Sequence, residues 1–327
     1  MKVLLTVGWL LLSAVAGFGA GGHATAAETY PAKPVRIIVP FSPAGFVDVT
    51  ARFIAGPLSA SLGQPVIVEN RAGAGGVIGT EFVARANPDG YTLVIGSVGT
   101  HAVNQALYPN LSYNVLRDFQ PVARLSEAPS ILAVHPSLPV HSVKDLIELA
   151  RSKPGQINYA SAGAGTSTHL AAALLEYLAR IKFVHVAYKG GGPMIIAVLS
   201  GEVPVTFGTA SSVSPHVKSG KLRGLAVTGT QRAAALPDLP TIAESGVPEY
   251  AMDNWLGIFA PAGTPRAVVE KLSDEAIRIV RLPEIIEGFR ARGVESSPLG
   301  SDEFAGFVKR ELEKWAKMVT ATGMTIN

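Results

Sequence analysis

Short runs of β-branched residues alternate along this chain with stretches whose apolar positions recur every three or four residues. Val35-Arg36-Ile37-Ile38-Val39 is the first such run and predicts a strand, the polar stretch 40–48 a loop, and 49–62 a helix. Val66-Ile67-Val68 predicts the next strand, the glycine-rich 73–79 a turn, and 80–86 a second helix. The turn Asn87-Pro88-Asp89-Gly90 then leads into a strand over 91–95. Strand, loop, helix, strand is the pattern of a parallel sheet covered by helices, because parallel neighbours need a crossover long enough to hold a helix.

A weak internal echo suggests two comparable lobes. The stretch 130–149 reads as an apolar strand, His135-Pro136, a loop, and a helix capped by Ser142 with Asp145 three residues on. The stretch 256–272 repeats this plan, with Ala260-Pro261 after the strand, Thr264 expected as N-cap and Pro265 at the first helical position. We expect 27–126 and 250–327 to form lobe I and 127–249 lobe II. Between the echoes lie strand patterns at 157–160, 183–186, 205–207 and 222–227, and a helix opening at Gly190-Gly191-Gly192-Pro193. The last stretch, 301–319, carries Phe304, Phe307, Val308, Leu312, Trp315 and Val319 at helical spacing and predicts a packed helix. Trp255 and Trp315 are expected to be packing residues.

Composition changes the picture in two ways. Of 327 residues, 48% are hydrophobic and 16% charged, enough apolar material for a sizeable core. The 28 Lys and Arg against 25 Asp and Glu leave a net charge of +3 with no basic run, which argues against nucleic-acid binding. Residues 1–26 read as a secretory signal: Lys2 is followed by an apolar stretch over 3–20 and by Ala24-Thr25-Ala26, a small-x-small cleavage site. The apolar stretch is long enough for an anchor, but Gly and Ala dominate its second half and the cleavage site follows at once. There is no cysteine, so thiol nucleophiles, thiolate metal sites, disulfides and a lipid-anchoring cysteine are all excluded.

The sharpest chemical signal is 160–170, ASAGAGTSTHL, where a strand passes through a glycine-rich turn into a helix. Such a turn leaves N–H groups unpaired at a helix start, where the helix dipole adds partial positive charge, so the natural guest is an anion. No G-x-S-x-G elbow occurs, and the seven histidines never fall in a metal-ligand spacing. The turn lacks the lysine of a phosphate-binding P-loop, and Ile78 stands where a dinucleotide fingerprint over 73–79 needs its last glycine. No catalytic constellation, metal site or cofactor is expected. What remains is a set of polar loops leaving strand ends, where open α/β sheets bind ligands. The candidate ligand-binding residues on them are Ser42, Ala44, Gly45, Phe46, Val47 and Asp48; Ser97, Thr100 and His101; Gly163, Ala164, Thr166, Ser167 and His169; and Lys189, Gly208 and Thr209. Asp48 is also a good N-cap, and Lys189 would attract an anion at long range.

Several long segments in the same order carry a family resemblance over the whole mature chain. Tyr30-Pro31 to Arg36, PFSPAGFVD, LGQPVIVENRAGAGGVIG, NPDGYTL, YASAGAGTSTHLAA, AYKGGGP, ALPDLPTIAESGVP and FAPAGTP resemble the Bug family, the periplasmic substrate receptors of tripartite tricarboxylate transporters. The resemblance implies an α/β, two-lobed periplasmic-binding-protein type II (Venus-flytrap) fold, each lobe a mixed, mainly parallel sheet flanked by helices. It also implies a monomeric periplasmic receptor, not an enzyme, that holds a small carboxylate through main-chain N–H groups, hydroxyls and waters. Delivery would be to integral-membrane permease subunits; a sensor feeding a signalling system is the alternative. Family members commonly have more glycines and a threonine where this chain has Ala44 to Val47, and often an aspartate where it has Gly208. Losing that aspartate argues against an ammonium-bearing ligand. Phe46 would instead pack on the body of a dicarboxylate or aromatic carboxylate.

Overall fold

The computed structural model describes residues 30–41, 43, 46–188, 191–233, 236–252 and 254–322. The expected signal segment and the candidates Ser42, Ala44, Gly45 and Lys189 lie outside the described residues. The chain runs β1 (Val35–Val39), α1 (Phe46–Leu62), β2 (Val66–Asn70), α2 (Val77–Ala84), β3 (Thr92–Ser97), α3 (Asn104–Leu107), α4 (Val115–Asp118), β4 (Phe119–Ala128), β5 (Ser130–Val134) and α5 (Val143–Ser152). It continues β6 (Asn158–Ser161), α6 (Ser167–Ala179), β7 (Val184–Ala187), α7 (Gly191–Leu199), β8 (Val205–Thr209), α8 (Ala210–Lys218), β9 (Arg223–Val227), β10 (Asn254–Pro261), α9 (Arg266–Val280), α10 (Pro283–Arg290), β11 (Glu295–Leu299) and α11 (Ser301–Thr322).

Two mixed sheets result. The six-stranded sheet has the order β11-β4-β10-β3-β1-β2, with β1 parallel to β2 and β3, and β10 antiparallel to β3 and β4. The five-stranded sheet is ordered β7-β6-β8-β5-β9, with β6 parallel to β7 and β8. Because β6, β7 and β8 run the same way, their C-terminal ends gather at one edge, and the loops after them share that edge. The ends of β1 and β3 do the same in the first sheet.

The chain crosses between sheets at two adjoining places. Only Pro129 separates β4 from β5, and the return runs over 228–253. Ser130 N donates to Thr228 Oγ1 at 3.0 Å and its carbonyl accepts Thr228 N at 2.9 Å, while Ala128 pairs with Asn254. The crossings are thus held side by side.

Local rules placed several boundaries well. Ser142 Oγ accepts Asp145 N at 3.1 Å, and Asp145 in turn accepts His141 N at 2.9 Å, so α5 is capped as its sequence predicts. Elsewhere tertiary context overrode the expectation. Helix α1 begins at Phe46, not 49, which shortens the first loop and puts Asp48 inside the first turn instead of at the N-cap. Helix α2 begins at Val77, not 80, because Gly75 and Gly76 take positive φ (63° and 92°) and reverse the chain directly into it. Thr264 does not cap α9: its hydroxyl donates to Pro261 O at 2.7 Å, and Pro265 occupies the capping position.

The C-terminal helix closes the core. Phe304, Val308 and Trp315 are buried, as their spacing predicts, and belong to an apolar cluster that also includes Leu132 and Phe207 of the second sheet. Trp255 and Trp315 are both buried and both donate Nε1–H to Glu311 Oε2, at 3.1 and 3.2 Å. Lys314 pairs with Glu311 and reaches Ala251 O at 3.3 Å in the return crossing. Glu311→Ala would strand two buried indole donors and is expected to lower stability by about 2–4 kcal/mol, whereas Glu311→Gln, which keeps an acceptor, should cost less. Urea unfolding of both variants checks this ordering.

Candidate functional site

The glycine turn between β6 and α6 is built from residues that only its backbone geometry explains. Gly163 and Gly165 sit at φ 132° and 73°, a region that L side chains rarely adopt. Around them runs a directed chain of hydrogen bonds. Ala162 N donates to Thr168 Oγ1 at 2.8 Å, and Thr166 Oγ1 donates to Gly163 O at 2.7 Å. The two hydroxyls lie 2.8 Å apart, and since the Thr166 proton is already committed, Thr168 must be the donor between them. Both hydroxyl protons are therefore consumed inside the turn.

That leaves the helix start open. Thr166 is the N-cap of α6 but makes no capping bond, with φ −75° and ψ 161°. The first N–H returned to the helix is Leu170 N, which reaches Thr166 O at 2.9 Å. Among the described residues, the N–H groups of Ser167, Thr168 and His169 have no partner. Ser167 is half-buried and Ala164, at the tip of the turn, is exposed. Three such donors at the positive end of a 13-residue helix are an arrangement that suits an anion. Thr166, expected as a direct hydroxyl donor to the ligand, is a brace of the turn instead.

His169 is placed beneath this site, not in it. It is buried, its Nδ1 accepts Gly165 N at 3.0 Å, and its ring stacks on His185 at 4.1 Å. Accepting at Nδ1 puts the proton of the neutral ring on Nε2. His185, which the sequence reading passed over, lies 2.6 Å from Ser161 Oγ. Its only sequence signal is a lone histidine between Val184 and Val186 in a strand pattern.

The loop after β3 approaches from the first sheet. A Cβ at Gly99 would lie 3.9 Å from Gly165 O, and one at Gly165 would meet Leu107 Cδ2 at 3.6 Å. Ser97 and Thr100 are buried and bonded to each other, Ser97 N donating to Thr100 Oγ1 at 3.0 Å. His101 is a correction: it is fully buried, stacked on Phe259 at 3.9 Å and edge-on to Phe119, so it belongs to the core.

The remaining candidates divide. Phe46 and Val47 are half-buried and pack on the apolar cluster of the first sheet, so Phe46 is at least partly a core-covering residue. Asp48 is buried and accepts from Arg52 Nε at 3.0 Å and Asn70 Nδ2 at 2.8 Å, tying α1 to the end of β2. Gly208 is a second correction. A Cβ there would meet Val213 at 2.5 Å and Met194 at 3.4 Å, both in the apolar core of the second sheet, so a side chain at 208 would point into that core. Thr209 precedes α8 at the same sheet edge as the turn, its hydroxyl 2.9 Å from Ser212 Oγ. Among the described residues no group of three or more His, Asp or Glu could hold a metal ion, and no helix is long and apolar enough to cross a membrane.

The profile described as "Tripartite tricarboxylate transporter family receptor" matches residues 50–324. The chain belongs to this receptor family. It is 36% identical over 323 residues to protein BugT of Bordetella pertussis, covering 98% of each chain. Among solved structures it is similar to the R. palustris protein Rpa4515 with adipate, at 34% identity and TM-score 0.80, covering 90% of this chain and 99% of that one. It is also similar to MatC from Rhodopseudomonas palustris with bound malate, at 31% identity and TM-score 0.77, covering 89% and 100%. The family is one of solute-binding receptors, and the two-sheet α/β architecture is theirs.

Electrostatics add a pH signature to this receptor. Burial, aided by the His185 ring, pushes the His169 imidazole down to about 4, and burial alone pushes His101 down to about 3. Unfolded, both would titrate near about 6.5. The unfolded chain therefore takes up protons that the folded chain refuses. Stability is full above about pH 6.5 and falls as pH drops toward about 4, by up to about 1.4 kcal/mol per pH unit for each ring. Urea midpoints from pH 7.5 to 4.5 are expected to decline steadily; a flat profile would show that neither ring is held neutral.

Proposed function

We propose that this protein is a periplasmic receptor that captures a small dicarboxylate, or an aromatic carboxylate, between lobe I (27–126 and 250–327) and lobe II (127–249). It would hand the ligand to the permease subunits of a tripartite tricarboxylate transporter, acting as a monomer after cleavage near Ala26. The observation that carries this reading is the open start of α6, where three N–H groups lack partners among the described residues and the surrounding hydroxyls are spent keeping the turn in shape. A carboxylate accepts two or three such donors in charge-assisted bonds and needs no further chemistry to be held or released. The adipate and malate of the two similar structures are both dicarboxylates, in keeping with this class.

Discrimination against amino acids follows from Asp48. A ligand ammonium needs a carboxylate partner when buried, and Asp48 already serves Arg52 and Asn70. The first loop and Lys189 would complete the site from either side, giving the ligand body its contacts and the ligand its long-range attraction.

Calorimetry with adipate, malate and phthalate against aspartate and glutamate is the direct test. The acids without an ammonium group should bind more tightly, and tighter binding of the two amino acids would reject the assignment.

The main-chain donors can be addressed singly. Ser167 is the first residue of α6, where proline fits a helix, and Thr166 already has the extended conformation that a following proline demands. Ser167→Pro deletes one donor N–H and is expected to weaken every bound carboxylate roughly 10- to 100-fold, with little change in melting temperature. Ser167→Ala keeps the N–H and should lose much less. Equal losses in the two variants would place the contact on the hydroxyl instead.

A further inference from the structure

The turn assigned above to the carboxylate hangs from a buried stack of rings. His169 Nδ1 accepts Gly165 N at 3.0 Å, and the His169 ring lies on His185 with 4.1 Å between centroids and 5° between planes. Tyr159 stacks on His185 at 5.0 Å and 16°. His185 Nε2 lies 2.6 Å from Ser161 Oγ, which itself accepts Gly163 N at 3.1 Å. Both turn glycines are therefore fastened to this stack by their N–H groups, one directly and one through Ser161.

We propose that His169, backed by His185, is the positioning residue of the carboxylate turn, and that taking up a proton at Nδ1 unfastens Gly165 and weakens ligand binding. This rests on the carboxylate-receptor reading.

The chemistry is simple. Only an unprotonated Nδ1 can accept from Gly165 N; once protonated it presents a donor to a donor at 3.0 Å. Gly165 N would then lose its partner, and the turn that orients the first N–H groups of α6 would relax. Among the described residues the surroundings of His169 oppose its imidazolium. On its stacked face His169 meets the ring of His185 from β7, which burial also holds below its ordinary value. Beyond it lies Tyr159 from β6, held protonated by burial and by Glu176. Glu176 of α6 accepts Phe183 N at 2.6 Å, and Lys182 acts on Glu176. Among the described residues no carboxylate is bonded to either imidazole.

Two variants separate positioning from folding. Asparagine at 169 sets its carbonyl oxygen near the place of Nδ1 and cannot be protonated in this range, whereas leucine removes the acceptor. Adipate affinity is measured by calorimetry from pH 7.5 to 4 for the wild type, His169→Asn and His169→Leu, with melting temperature recorded alongside. At pH 7.5 His169→Asn should bind within about threefold of the wild type, and His169→Leu about five- to tenfold more weakly, the worth of one such bond. As pH falls to 4, where His169 is about half protonated, the wild type should lose about twofold relative to His169→Asn, a ratio in which the protonation of adipate itself cancels. In parallel, the amide resonance of Gly165 should shift with pH in the ligand-free wild type and stay still in His169→Asn.

A constant wild-type to His169→Asn ratio, or a Gly165 resonance indifferent to pH, would overturn the proposal. If adipate and malate fail to bind the wild type while the Gly165 resonance still titrates, the ligand assignment falls and the positioning role of His169 stands.

Discussion

Everything about the candidate site follows from three N–H groups at the start of α6 that have no partner among the described residues. An unpaired backbone donor is costly in a folded protein, and the usual remedy at a helix start is a hydroxyl that turns back to cap it. Thr166 stands in the right place to do so and does not; its proton goes to Gly163 O. Thr168 commits its own proton to Thr166, and His169 uses its acceptor on Gly165. The residues best able to satisfy the helix are each engaged in shaping the turn, so the donors stay available to something from outside.

Sheet topology decides where that opening lies. Parallel running of β6, β7 and β8 brings the glycine turn, the end of β7 and Thr209 to one edge, and the parallel β1 and β3 bring the end of β1 and the loop at 98–101 to one edge of the other sheet. The approach of Gly99 to Gly165 joins the two edges. The paired crossings at Pro129 and Thr228 hold the sheets together at one place, and α11 reaches the return crossing through Lys314 while sharing a core cluster with both sheets. Motion of one sheet relative to the other would have to pass through these few residues.

Much of this was legible in the sequence wherever the cause was local. The run Val35–Val39, the cap at Ser142 and the buried face of the last helix depend on residues close in the chain, and periodicity or spacing reveals them. The glycine turn at 160–170 and the helix start that follows it were legible for the same reason. The division of labour inside it was not, because the direction of a hydroxyl bond depends on which acceptor the fold supplies. His185 lies 24 residues from its Ser161 partner, and only strand register brings them together. His101 and Gly208 were misread in a similar way: both sit at strand ends, where ligands bind, but the pleat turns position 208 into the core and the loop after β3 turns His101 onto Phe259.

A site built on main-chain donors has a consequence for how such a receptor can change its ligand. Every residue but proline carries the same N–H, so substitutions along α6 would leave the proposed grip on a carboxylate nearly intact. Selectivity would then come from groups that do have side chains, and among the described candidates at the start of α1 those groups already have partners within their own sheet. Asp48 is locked to Arg52 and Asn70, and Phe46 leans on the core of its own sheet. The charge of Asp48 is already balanced by Arg52, and a ring anchored on a core moves little. On the proposed reading, the described residues of α1 offer a ligand body packing more than charge, and the open start of α6 offers the charged recognition.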